Sequence, residues 1–151
     1  MPTVPQAYRR IVDALDTLMR DLPGVLVTID GRDGVGKTTL GRFLAWHFNV
    51  TLLETDLFLI PTRDHIIYLD DQINRIIERR LTTPRPIIVE GIAMLQIMQR
   101  IHRSPDFAIY VDEGERRSTS RAMKRRLAEY ESTFNPRQSA NLVVSLSDHT
   151  D

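Results

Sequence analysis

Apolar residues at Tyr8, Ile11, Val12, Leu15, Leu18, Met19 and Leu22 recur at intervals of three and four, the spacing of an amphipathic helix that stops before Pro23-Gly24. The pattern then changes to a short β-branched run, Val25 to Ile29, which predicts a strand leading into a glycine-rich turn. Beyond the turn Leu40, Phe43, Leu44 and His47 share one face of a second helix, and Trp46, next to that face, is expected in the core. A further strand is predicted at Thr51 to Glu54, followed by an irregular stretch through Pro61. A helix carrying Leu69, Ile73, Ile76, Ile77 and Leu81 comes next and closes at Thr82-Thr83-Pro84.

The second half repeats the alternation. Pro86 to Glu90 is a continuous apolar run ending in a carboxylate, the pattern of a strand covered on both faces. A helix bearing Leu95, Met98 and Ile101 is expected to open at Gly91. Phe107 to Val111 and Asn141 to Leu146 read as the last two strands. Between them, Glu113 to Glu131 has helical propensity, many arginines and few large apolar residues, so it is expected to lie largely outside the core. Strands alternating with helices predict an α/β fold with a parallel sheet between helical layers, which binds ligands beyond the carboxyl ends of its strands.

Composition narrows the class. At 151 residues and 42% hydrophobic content, the chain suits one domain spanning 1–151. Its 20 basic and 20 acidic residues cancel, so no overall field favours nucleic acid or an acidic membrane as a partner. The absence of cysteine removes disulfides, thiolate metal sites and thiol nucleophiles. Met1 to Gln6 lacks the basic and apolar runs of a leader, and no segment approaches the roughly 20 apolar residues of a membrane span. A cytoplasmic protein is expected.

The segment Gly31-Arg32-Asp33-Gly34-Val35-Gly36-Lys37-Thr38 fits G-x-x-x-x-G-K-[ST] and lies between a predicted strand and a predicted helix. That is the pattern of a P-loop NTPase's phosphate-binding loop, and the segment is expected to act as one. Its glycines let successive amides point at phosphate oxygens, and the positive helix end near Lys37 adds to the attraction. Lys37 is expected to bridge the β and γ phosphates of ATP, Thr38 to place its hydroxyl on Mg2+, and Thr39 to lie near the α phosphate. The expected fold is therefore a three-layer α/β/α sandwich with a five-stranded parallel sheet.

Two carboxylates lie at the ends of successive predicted strands. Asp56 follows the Thr51–Glu54 strand and Glu90 ends the next, so both fall at the rim where phosphates would sit. An alcohol attacking the γ phosphate must lose its proton, and Asp56 is the candidate to orient it and accept that proton. Glu90 is a candidate to hold Mg2+ through a coordinated water, or to help position the acceptor. Arg63, Asp64, His65 and Tyr68 lie where an acceptor could bind. No spacing among His47, His65, His102 and His149 suits a metal site.

The segments Asp56-Leu57-Phe58, Glu90-Gly91-Ile92 and Phe134-Asn135-Pro136-Arg137, with Ala140 to Val144, resemble the uridine kinase branch of the P-loop kinases, a group that includes phosphoribulokinase and pantothenate kinase. The resemblance runs from about Val25 to Leu146. It implies transfer of the γ phosphate of ATP to a hydroxyl of a nucleoside, vitamin or sugar-like metabolite, with Asp56 as base and Phe58 beside the acceptor. It also implies a short helical lid over 113–133 in which Arg121 and Arg125, four apart, would stabilise the transferring group. The stretch from Phe58 to Pro86 is shorter than in uridine kinases, Asn141 stands where an aspartate is expected, and Asp33-Gly34-Val35-Gly36 looks more like the loop of thymidylate kinases. The alternative is a nucleotide-binding regulator or degenerate kinase, which the shortened acceptor region favours. A homodimer is allowed as a protein partner. Neither the Asn-Lys-x-Asp segment of GTPases nor the Leu-Ser-Gly-Gly signature of ABC ATPases occurs.

Overall fold

A computed structural model describes residues 3–61, 65–113 and 120–146. The chain begins with α1 (Gln6–Met19), β1 (Leu26–Gly31) and α2 (Lys37–Phe48). It continues through β2 (Thr51–Glu54), a 3-10 turn at Thr55–Phe58 and a hairpin of β3 (Leu59–Ile60) and β4 (Ile67–Tyr68). Then come α3 (Asp70–Thr82), β5 (Ile87–Glu90), α4 (Met94–Arg100) and β6 (Phe107–Glu113). The last elements are α5 (Arg121–Phe134), α6 (Pro136–Ser139) and β7 (Leu142–Ser145).

Five strands form one sheet in the order β2-β5-β1-β6-β7, and every pairing in it is parallel. The strand carrying the glycine loop is thus central. Its side chains alternate between the two layers: Leu26 packs with Ile73, Ile77, Met94, Ile97, Leu127 and Tyr130, whereas Val27 and Ile29 pack with Ile11, Leu15, Leu40 and Leu44. Ile87 and Val89 of β5 face the first group and Ile88 the second. Both faces being covered explains why these strands read as unbroken apolar runs. The result is a three-layer α/β/α architecture, with α1 and α2 on one side and α3, α4 and α5 on the other.

Several expectations need correction. Trp46 is 77% exposed, not core, and its ring lies beside that of Phe43, with centroids 6.1 Å apart. The stretch through Pro61 is not irregular, because Leu59 and Ile60 pair antiparallel with Tyr68 and Ile67. Gly91 does not open α4. The chain first passes through Ala93 at a φ of 54°, and the helix begins at Met94. The segment predicted as one helix from Glu113 splits: β6 runs to Glu113 and α5 starts at Arg121. Nor does α5 lie outside the core, since Leu127 and Tyr130 are buried and Met123 and Phe134 pack beside them. Their spacing is helical, but arginines between them dilute the apolar stripe. Arg63, Asp64, His149 and residues 114–119 of the expected lid lie outside the described residues.

Candidate active site

The glycines of the loop are demanded by space and backbone. A Cβ on Gly31, at a φ of 151°, would approach the Val111 carbonyl oxygen to 2.7 Å, so the close pass of β1 by β6 excludes a side chain there. Gly34 and Gly36 turn at φ values of 77° and 101°, where glycine carries no Cβ penalty. Gly36 is the N-cap residue of α2, and no side chain caps the amides of that helix's first turn, which leaves them open to an anion. Val35 is 1% exposed and anchors the loop in the core below, while Asp33 is half-buried and Thr39 exposed.

Lys37 is buried, and its Nζ donates to the Arg32 carbonyl oxygen at 2.6 Å. Burial pushes its pKa down, while the charges of Glu90, Asp30, Asp33 and Asp56 push it up. An ammonium surrounded by carboxylates at the mouth of a helix is a strong local dipole in an otherwise neutral chain. Thr38 Oγ1 donates to Glu90 Oε1 at 3.0 Å. Glu90, 2% exposed, has its pKa raised by burial, against the opposing effects of the Thr38 hydrogen bond and the Lys37 charge.

Parallel pairing sets Glu54 beside Glu90 in register, and the 3-10 turn then folds Asp56 back toward them. One carboxylate oxygen from each of Glu54, Asp56 and Glu90 lies within 4.8 Å of the other two. Arg42 satisfies Glu54 from outside at 2.9 Å. Thr55, fully buried, donates from Oγ1 to the Glu90 carbonyl oxygen at 3.0 Å and so ties the two strand ends together. Asp56 is exposed, and Phe58 is half-buried against the core. Lys37, Thr38, Asp56 and Glu90 thus converge. Arg121 and Arg125 stand exposed at the amino-terminal end of α5, and Arg63 is not among the described residues.

Asp30 has a place in the site that the sequence reading did not assign. This carboxylate, 5% exposed, accepts from the Gly31 amide at 2.8 Å, from the Tyr130 hydroxyl at 2.5 Å and from the Met94 amide. Tyr130 Oη in turn accepts from the Leu95 amide at 3.0 Å. Asp30 and Tyr130 together therefore cap α4, which has no side-chain cap of its own. Burial pushes the Asp30 carboxyl up to about 6, against its hydrogen bonds and the Lys37 charge. The signal in the sequence was a lone carboxylate closing an apolar strand just before the first loop glycine. For Tyr130 there was none.

The donor set fits a small hard cation. Thr38 Oγ1 with the Glu54, Asp56 and Glu90 carboxylates is all oxygen, as Mg2+ requires, and Lys37 adjoins it as a polyphosphate site requires.

Compared with known proteins, the chain matches no family model, and no curated protein matches it by sequence. A solved structure shares its fold. Described as a possible uridine kinase from Bacillus stearothermophilus, it matches with a TM-score of 0.59 at 15% identity, covering 89% of this chain and 98% of that one. A shikimate kinase from Acinetobacter baumannii, solved in complex with shikimate, matches with a TM-score of 0.49 at 13% identity, over 87% of this chain and 88% of that one. Identities this low speak to the fold alone: the Bacillus stearothermophilus structure shares the α/β architecture seen here, a five-stranded parallel sheet between helices. No helix among the described residues is long and apolar enough to cross a membrane.

Proposed function

We propose that this protein is a small-molecule kinase that moves the γ phosphate of ATP to a hydroxyl of a metabolite, of the uridine kinase-like branch of the P-loop kinases. The observation that carries the reading is the convergence of Lys37, Thr38, Glu90 and Asp56 at one rim of a parallel sheet, around a helix start. The three motifs shared with that branch and the architecture common to the Bacillus stearothermophilus structure support it.

In this mechanism the amides of residues 33 to 38 and Lys37 Nζ hold the triphosphate. Thr38 and Glu90, with Asp56 and Glu54 close by, would hold Mg2+, which when bound supplies charge neutralisation at the β and γ phosphates. Asp56 orients the acceptor hydroxyl and takes its proton as the oxygen bonds to the γ phosphorus and the bond to the β–γ bridging oxygen breaks, releasing ADP. Arg121 and Arg125 compensate charge on the transferring group. Phe58 and Arg63 belong to the acceptor side.

Asp56→Asn is the test. With ATP offered alongside nucleosides, vitamins and sugars, the parent phosphorylates at least one, and the variant loses turnover by 100-fold or more, on the order seen for removal of a general base. Its nucleotide affinity stays within about threefold, because the loop is untouched. A parent that binds nucleotide and labels no acceptor would instead be a regulator.

A further inference from the structure

Helix α5 carries arginines at one end and is fastened to the phosphate loop at the other. Tyr130 reaches Asp30, the residue before Gly31, at 2.5 Å, and Glu131 reaches Arg32, the residue after it, also at 2.5 Å. Successive residues of one helix thus straddle the first loop glycine. The Arg32 guanidinium engages Glu131 through both Nε, at 2.9 Å, and Nη2, and Tyr110 of β6 reaches the same carboxylate at 3.5 Å. Arg32 is also the residue whose carbonyl oxygen holds Lys37 Nζ at 2.6 Å. One loop residue therefore grips the phosphate-binding ammonium with its backbone and the arginine helix with its side chain.

The two ties differ in kind. Tyr130 and Asp30 are buried and cap α4, a structural task. Arg32 and Glu131 are a third and a quarter exposed, and a pair so solvated adds little to folding. Its consequence is geometric. Arg125 and Arg121 lie six and ten residues before Glu131, about 9 and 15 Å along the helix at roughly 1.5 Å per residue. A tilt of about 5° at the tie moves a group 15 Å away by about 1.3 Å, and displacements near 1 Å can cost about 100-fold in rate.

We propose that Arg32 and Glu131 are positioning residues that couple occupancy of the phosphate loop to the placement of the arginine end of α5. The proposal rests on the phosphate-loop reading above. Phosphate oxygens that draw Lys37 Nζ from the Arg32 carbonyl free that peptide to turn, and the guanidinium carries Glu131 with it.

Hydrogen exchange of the full chain, with and without a magnesium-bound nonhydrolysable ATP analogue, tests this. In the parent, the analogue slows exchange at the amides of residues 33–38 and of residues 122–127. In Glu131→Gln the loop response persists with nucleotide affinity within about threefold, while the helix response falls by threefold or more, and the unfolding midpoint moves by less than about 4 °C. Arg32→Lys, which keeps the charge and loses the fork, gives the same split without depending on the first variant's folding. A helix response that survives in both variants, or a parent whose loop responds and whose helix does not, overturns the coupling alone. No loop response in the parent overturns the phosphate-binding reading and the coupling with it.

Discussion

Gly91→Ala places a methyl group where the Thr55 hydroxyl already is. A Cβ built on Gly91 lies 1.8 Å from Thr55 Oγ1, 3.2 Å from Thr55 Cβ and 3.3 Å from Met94 Cε. Thr55 is fully buried and spends its hydroxyl proton on the Glu90 carbonyl, so it can yield only by breaking that bond. Losing a buried hydrogen bond costs about 1–3 kcal/mol, and forcing the shift in a packed interior costs about 1–3 more, giving roughly 4 kcal/mol for Gly91→Ala. Thr55→Ala removes the obstacle at its own cost of about 2–3 kcal/mol, from the unpaired Glu90 carbonyl and the lost methyl. The double variant should then be only slightly less stable than Thr55→Ala. The deviation from additivity is about 3 kcal/mol, well beyond the roughly 0.5 kcal/mol scatter of independent sites. Urea unfolding followed by far-ultraviolet circular dichroism measures all three variants. Trp46 is too exposed to report on the core. Additive losses would refute the steric account of this glycine. The same clash pries Thr55 from the Glu90 strand end, so turnover in the single variant falls more than stability alone accounts for.

Three other outcomes follow from the site. Lys37→Met weakens magnesium-ATP binding by about 10- to 100-fold in calorimetry, the loss of one charge-assisted contact to phosphate. Trp46→Ser changes unfolding free energy by less than about 0.5 kcal/mol in the same urea assay, because the ring is 77% exposed. Asp30, with a carboxyl raised from 3.8 to about 6, binds more protons folded than unfolded between those values, so its contribution is full below pH 4 and lost as pH rises through 6. Between pH 4 and pH 7 the stability of the parent should change in the unfavourable direction by about 2 kcal/mol relative to Asp30→Asn, and an identical pH dependence in the two would show the carboxylate is not held in this way.

What was legible in the chain was whatever depends on near neighbours. The strand periodicity, the loop glycines and the position of Lys37 and Thr38 at a helix start are set by residues within a few positions of one another, and the parallel sheet follows from their alternation. Asp56 and Glu90 could be placed at the same rim because one follows a strand end closely and the other closes a strand, although their separation could not. That separation is set by a 3-10 turn and by the buried hydroxyl of Thr55, which nothing in Glu54-Thr55-Asp56 distinguishes from an ordinary strand end. Tyr130 is harder still: it meets Asp30 a hundred positions away, on a helix whose arginines hide its apolar face. Trp46 failed in the opposite sense, since adjacency to a packing face at 100° per residue is enough to turn a large ring outward. The residues that local pattern missed share a cause. Each is polar or amphipathic, and each acts by satisfying a group that another element leaves open: the amides of α4 by Asp30 and Tyr130, the carbonyl of Glu90 by Thr55, the guanidinium of Arg32 by Glu131. Such debts appear only when the ends of elements are brought together, and in this fold the element ends that meet are the ones around the glycine loop.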